Sequence, residues 1–316
     1  MKVSRRQFLE AAAVTAAASR VHAQAAPAQA WSSPVLDCHF HLRADVEANI
    51  VHMDGCGVRR AVILTRDAFD RARAFQAKYP ARVVWAASSD IPPPGAEVRL
   101  TQAVKNGAVG FGELKFHVEA DGPELQRMYA LAAELGVPIL VHFQEVDHFP
   151  GEGRWSSGFK RFEAMLRTFP KTTFVGHADA FWANVDATYE NEAAYPTGPI
   201  TRGGLTDKLL GDSANLFGDM SANSGNNAMS RDAAFTADFL ARHQNKLIFG
   251  SDCSCTDGRG AGVSQANNPT AARLSGKCVA RETLTLLPKT TSPDVFRKIA
   301  WDNGHRVYKL KAVSTP

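Results

Sequence analysis

Four short segments of the chain carry histidine or aspartate, side chains of the kinds that bind divalent metals. They read Asp37-Cys38-His39-Phe40-His41, Val141-His142-Phe143, Val175-Gly176-His177-Ala178 and Gly250-Ser251-Asp252-Cys253. Each histidine or aspartate closes a short apolar run. Side chains at the C-terminal ends of different parallel strands meet over the mouth of one barrel, where imidazoles converging with a carboxylate make a divalent-metal site. His39 and His41 stand two apart, so on a strand they share one face, with Phe40 and Cys38 turned outward into the strand–helix layer. A lone imidazole on an apolar strand is ordinarily a satisfied core residue; the pair, preceded by Asp37, favours ligation. Asp252 could simply cap a helix or loop. In a metal site it would bind the ion and handle a proton. A divalent ion lowers the pKa of bound water to about 7, and an adjacent carboxylate can take that proton and later deliver it to a leaving group.

The segment Gly112-Glu113-Leu114-Lys115-Phe116-His117 places Glu113, Lys115 and His117 on one face of a strand. Glu113 is expected as a hard oxygen ligand bridging two ions. Lys115 could do so only if carbamylated; as a cation it would hold a substrate carboxylate or a developing oxyanion. The plain alternative is a Glu–Lys pair inside the barrel. Lys115, His117 and Arg154 are the expected substrate contacts.

These side chains need a scaffold of parallel strands. Apolar, β-branched runs lie at about 35–42, 59–65, 82–88, 108–116, 137–143, 173–178, 215–221 and 246–252, with helical patterns between most of them. One such helix begins at Gly122-Pro123 and stops at Leu135-Gly136. From Glu113, His142 follows 29 residues later and His177 another 35, close to the ~30 of one strand–helix unit. An open doubly wound sheet gathers its ligands at one switch point; here they are spread over strands 1, 4, 5, 6 and 8. The expected fold is therefore a distorted TIM-like (β/α)8 barrel, a single domain over residues 31–316. Long connections at 144–158, 179–214 and 254–292 follow the strands of His142, His177 and Asp252 and are expected to form substrate walls and lids. Pro293–Leu310 reads as a C-terminal helix covering the barrel.

Residues 1–30 stand apart. Ser4-Arg5-Arg6-Gln7-Phe8-Leu9, an alanine-rich stretch and Val21-His22-Ala23 read as a twin-arginine signal peptide and short linker, implying the twin-arginine export machinery as a partner and a periplasmic location. The chain of 316 residues carries a net +4. Lys2, Arg5, Arg6 and Arg20 against Glu10 account for +3 of it, leaving the mature part near +1. That argues against nucleic acid as a partner. No later run is apolar enough for a stable membrane anchor. The five cysteines, 38, 56, 253, 255 and 278, leave a bridge from Cys253 or Cys255 to Cys278 open.

The ordered set His39-Phe40-His41, His142, His177 and Asp252, with the ending Val295-Phe296-Arg297-Lys298-Ile299-Ala300-Trp301-Asp302-Asn303, resembles the amidohydrolase superfamily, most closely its amidohydrolase-related branch of metal-dependent hydrolases. The resemblance spans about residues 35–310. It implies one or two divalent ions, often zinc, with His39 and His41 on a buried ion and His142 and His177 on a more exposed one. Asp252 would bind metal and move the proton. In mononuclear members the residue matching His177 activates water or stabilises the transition state, which makes His177 a second candidate for catalysis. Gly112-Glu113 looks like the fourth-strand Gly-Glu of the TatD-like deoxyribonucleases, although the nearly neutral mature chain argues against a nuclease. The expected reaction is cleavage of a carbon–nitrogen or carbon–oxygen bond in a small amide, ester or lactone. The same branch contains metal-dependent non-oxidative decarboxylases of small unsaturated or aromatic acids, which form the alternative. A metal- or ligand-binding protein on an inactive barrel is a third reading.

Overall fold

The computed structural model describes residues 30–115, 118–148, 151–152, 156–263 and 273–311. Its strands are β1 (Leu36–His41), β2 (Arg60–Arg66), β3 (Val83–Ser88), β4 (Phe111–Leu114), β5 (Pro138–His142), β6 (Thr173–His177), β7 (Leu216–Asp219) and β8 (Leu247–Ile248). They lie in chain order in one sheet, each parallel to the next. The circle closes where Cys38 N–H donates to the Phe249 carbonyl at 2.9 Å and Asp252 N–H to the His39 carbonyl at 2.7 Å. This is a distorted (β/α)8 barrel, as the spacing of the strand signals requires.

Runs such as Val62-Ile63-Leu64 and Val83-Val84-Trp85 are apolar on both faces because both are buried, as parallel strands covered by helices must be. Leu36, Val62, Leu64, Val84, Ala86, Leu140, Val175 and Ile248 fill the barrel. Ile63, Trp85, Ile139 and Val141 face the outer layer of helices. These helices are α1 (Val46–Cys56), α2 (Phe69–Lys78), α3 (Ala96–Lys105), α4 (Pro123–Leu135), α5 (Phe162–Thr168), α6 (Asp179–Ala183), α7 (Leu205–Asp212), α8 (Ala222–Ser230), α9 (Ala233–Arg242), α10 (Val279–Thr290), α11 (Pro293–Arg297) and α12 (Asn303–Val307). The sequence signals for α4 hold in detail. Proline opens it, Gly136 ends it at φ 66°, and Leu125, Met128, Tyr129 and Ala132 form the buried stripe. Among the described residues no helix is long and apolar enough to cross a membrane.

One sequence expectation needs correction. Cys38 does not turn outward: it belongs to the barrel interior with Leu36. The register of β1 against β2 slips by one residue between Asp37 and Phe40. A bulge of this kind sets two residues against one and resets the alternation. Cys38 and His39 therefore both reach the inside, and Phe40 packs outward, against His52 of α1. The C-terminal segment is helical from Pro293 to Val307, as expected, with a wider π turn at Lys298–Asp302, and Val307 and Tyr308 complete the interior cluster. The connection 254–292 is not all loop, since it contains α10. Strand β8 is short because Gly250-Ser251-Asp252 leaves the extended conformation, with Asp252 at φ 45°.

Candidate metal centre

The C-terminal strand ends bring six of the sequence-derived residues together: His39, His41, Glu113, His142, His177 and Asp252. Donor atoms of His39, His41 and Asp252 lie within 4.8 Å of one another, and so do those of Glu113, His142 and His177. Two carboxylates join the sets. Asp252 is 3.3 Å from His41 Nε2 and 3.9 Å from His177 Nε2. Glu113 is 3.6 Å from His41 Nε2 and 3.5 Å from His177 Nε2, and it touches His142 Nδ1. Lys115 stands just beyond β4 with Nζ 3.0 Å from Glu113 Oε2. The Glu–Lys pair and the ligand-like placing of Glu113 are thus both present. His117 and Arg154 lie outside the described residues.

Sequence reasoning missed the layer that aims these imidazoles. Asp219, at the end of β7, accepts from His39 Nδ1–H at 2.6 Å, and Ser221 donates its hydroxyl to the same carboxylate oxygen at 2.7 Å. The Ser221 oxygen in turn accepts from His177 Nδ1–H at 2.8 Å. With both Nδ1 atoms so engaged, Nε2 of His39 faces Asp252 and Nε2 of His177 faces Glu113 and Asp252. His142 Nε2–H donates to Gln144 at 2.9 Å, leaving Nδ1 against Glu113. His39 Nε2 is buried without a hydrogen-bond partner, and Glu113 Oε2 meets the Lys115 ammonium. Buried polar atoms are rarely left so, and a carboxylate on the far nitrogen is how metal-binding histidines are oriented. The donor set of imidazoles and carboxylates suits a divalent cation, so the residues present fit the ion that the fold calls for. Asp219 carried the same signal as Asp252, an apolar run ending in a carboxylate.

Two glycines are required at this rim. Gly112 sits at φ 135°, and a Cβ there would lie 2.5 Å from that of Leu140, so only glycine delivers Glu113 into the mouth. At Gly250 a Cβ would lie 2.3 Å from Asp219 Oδ1 and 2.7 Å from His39 Cβ. Gly250→Ala is expected to wedge that pair apart and cost about 1–3 kcal/mol of stability, the usual range for overpacking. Chemical denaturation checks the stability, and isothermal titration should find weakened metal binding.

The charges around the donors are strongly coupled. Burial pushes the Asp252 carboxyl up, but the His39 charge and the hydrogen bond from His41 outweigh it and hold the group well below the usual carboxylate range. Burial likewise opposes ionisation of Glu113, and the Lys115 and His142 charges more than offset it. The Glu113 charge raises Lys115, which stays an ammonium ion. A carbamylated bridge would require the neutral amine, so Lys115 fits the cationic role. Burial and the His39 charge hold His177 well below the ordinary range, as a neutral imidazole. His41 goes the other way: burial lowers it, but hydrogen bonds to Asp252 and Glu113 carry it to about 10.

This proton on His41 competes with metal. Metal uptake at neutral pH is expected to release protons, with apparent affinity weakening as pH falls; titration calorimetry in buffers of different ionisation enthalpy measures both. In the metal-free protein the ordinary His41 value is 6.5 and the folded value about 10. Its contribution to stability is therefore complete below pH 6.5 and lost as pH rises through about 10. Urea midpoints of the metal-free chain should fall between those limits.

Residues 43–310 match the amidohydrolase family, most of the chain. The chain belongs to that family. Its members are metal-dependent enzymes, and this amidohydrolase is one of that superfamily. The match begins after His41, so geometry alone joins His39 and His41 to the site. No curated sequence is significantly similar to the chain. Among solved structures, a dihydroorotase from Campylobacter jejuni shares 17% identity and a TM-score of 0.53, over 89% of this chain and 84% of that one. A 2,6-dihydroxybenzoate decarboxylase in complex with 2,6-dihydroxybenzoate shares 13% at a TM-score of 0.53, over 89% and 100%. A 5-carboxyvanillate decarboxylase from Novosphingobium aromaticivorans, complexed with manganese, shares 12% at 0.53, over 89% and 97%. At such identities the likeness is one of fold.

A cleft of about 300 Å3 opens over the amidohydrolase site, and Lys115, His148, Tyr195, Asn223, Lys277 and Asp252 are among its walls. The three long connections supply His148, Tyr195 and Lys277, as expected for substrate walls. His148 Nε2–H donates to buried Asp179 at 2.8 Å, which fixes its ring beside the cleft.

Proposed function

We propose that this amidohydrolase hydrolyses a carbon–nitrogen or carbon–oxygen bond in a small amide, ester or lactone. His39, His41, Glu113, His142, His177 and Asp252 would hold one or two divalent ions. Zinc is the expected metal, and the manganese in the carboxyvanillate decarboxylase makes manganese the second to load. The observation that carries the reading is Asp252, an ionised carboxylate, 28% exposed, standing between the two donor sets and facing the cleft.

When bound, the ion supplies a Lewis acid that acidifies water to a pKa of about 7 and polarises a carbonyl. Asp252 takes the proton from the attacking water and passes it to the departing nitrogen or oxygen. His177, neutral and tied at Nδ1 to Ser221, keeps its orientation through the reaction. Lys115, steadied by Glu113, presents a positive charge to an anionic part of the substrate or to charge developing on its oxygen. The alternative, decarboxylation, needs an acid that protonates carbon. His177, with Nδ1 engaged by Ser221 and Nε2 facing Glu113 and Asp252, is placed as a ligand rather than as that acid, which favours hydrolysis. We extend the proposal to export through the twin-arginine pathway and action in the periplasm, from the Arg5-Arg6 segment.

The test is a screen of amides, esters, lactones and carboxylated aromatics against zinc- and manganese-loaded protein, following both hydrolysis and carbon dioxide. Hydrolysis is the expected outcome. Carbon dioxide release without hydrolysis would establish the decarboxylase reading, and metal binding without any turnover would favour a binding protein.

A further inference from the structure

A second convergence of ligands lies beside the catalytic face, where Cys253 follows Asp252 in the cleft wall. His52 and Cys56 belong to α1, Cys253 and Cys255 follow Asp252 after β8, and Cys278 caps the start of α10. One donor atom from each of His52, Cys253, Cys255 and Cys278 lies within 4.8 Å of the other three, and all four residues are buried. Cys253 Sγ is 3.4 Å from Cys255 Sγ and 3.7 Å from Cys278 Sγ, and Cys278 Sγ is 3.8 Å from His52 Nε2. Four ligands at ~2.3 Å from a tetrahedral zinc ion stand about 3.7 Å from one another. Three of the six separations, 3.4, 3.7 and 3.8 Å, lie close to that edge, and the other three are within 4.8 Å.

We propose that His52, Cys253, Cys255 and Cys278 form a structural zinc site, separate from the metal centre at the barrel mouth. Three thiolates and one imidazole are a known closed structural set for zinc, with no position left for water. Soft sulfur donors also distinguish it from the nitrogen and oxygen donors of the catalytic face. Binding would release three thiol protons, leave the imidazole neutral and give the cluster a net charge of −1. Arg43 stands ready to offset that charge: its guanidinium donates to the carbonyls of Cys255 at 2.6 Å and Cys253 at 3.2 Å. His52 has the support expected of a ligand. Its Nδ1 is 3.8 Å from Cys56 Sγ, and the Phe40 ring packs on it at 4.7 Å.

Two simpler readings compete. Buried cysteine often serves as a small apolar side chain, a role that suffices for Cys38 but does not explain three sulfurs gathered on one imidazole. A disulfide would use two of the three and leave His52 without a purpose. The site would tie α1, α10 and the turn carrying Asp252 to one ion, fixing the base of the catalytic face.

The test uses the whole protein, freed of loosely held metal by dialysis against a chelator. One zinc per chain is expected to remain, and to be released when a mercurial titrates the thiols. Refolding with cobalt(II) in place of zinc should give a near-ultraviolet thiolate-to-cobalt band, which the nitrogen and oxygen donors of the barrel mouth cannot produce. Cys278→Ser should remove the band. Cys56→Ser should keep it while weakening zinc ~10–100-fold, as the loss of a supporting partner does. Three free thiols in the denatured, unreduced protein would mean a disulfide and overturn the proposal. Five thiols with neither retained zinc nor a cobalt–sulfur band would overturn it equally, whether or not the Cys278→Ser variant folds.

Discussion

An Asp252→Asn variant is expected to fold normally and to turn over substrate roughly 10²–10⁴-fold more slowly, the range supplied by a positioned proton-transfer group. The prediction separates chemistry from architecture because the position tolerates asparagine. The backbone stands at φ 45°, a left-handed conformation that asparagine adopts as readily as aspartate. The main-chain bond from residue 252 to the His39 carbonyl at 2.7 Å does not involve the side chain. What disappears is a carboxylate kept ionised against burial by His39 and His41. Circular dichroism and a melting curve near those of the parent, with kcat reduced and KM little changed, are the expected record. Full activity in this variant would end the proton-transfer role.

The second large effect is at a residue that touches no substrate. Asp219→Ala should weaken metal binding ~10–100-fold, the usual loss when the partner of a metal-bound histidine is removed. The carboxylate oxygen accepts from both His39 Nδ1–H and Ser221, and through Ser221 it also sets His177. Truncation frees both rings to turn or change tautomer, and it leaves buried donors unpaired at about 1–3 kcal/mol each. Asp219→Asn keeps an acceptor and should recover part of the affinity. Isothermal titration with zinc on the three proteins measures the series. An alanine variant that binds metal as tightly as the parent would show that His39 and His177 hold their aim without Asp219.

Much of this was legible in the chain because a parallel strand announces itself by an apolar run and a site residue by the polar side chain that closes it. His39, His41, His142, His177 and Asp252 all obey that rule, and the even spacing of the runs dictates a barrel. The rule fails where local geometry departs from the ideal strand. Strict alternation puts Cys38 outside, and the extra residue in β1 brings it in. Asp219 obeys the rule as plainly as Asp252, yet a carboxylate before a helix also reads as a cap, and only its contact with His39 separates the two meanings. A meeting of Cys278 with Cys253 or Cys255 can be suspected from the sequence, but His52 lies 226 residues from Cys278 and joins them only when the barrel closes. Lys115 stood between three roles in the sequence; the Glu113 carboxylate beside it keeps it cationic, which fits a plain ion pair or an anion-holding group better than a carbamylated bridge.

Anomalous diffraction from crystals grown with zinc, recorded on both sides of its absorption edge, tests the central claim most directly. A peak enclosed by His39, His41, Glu113, His142, His177 and Asp252 is the predicted result, with one or two maxima giving the number of ions. Anomalous density at the sulfur cluster alone, or none at the barrel mouth after soaking in excess metal, would contradict the assignment of a metal centre there.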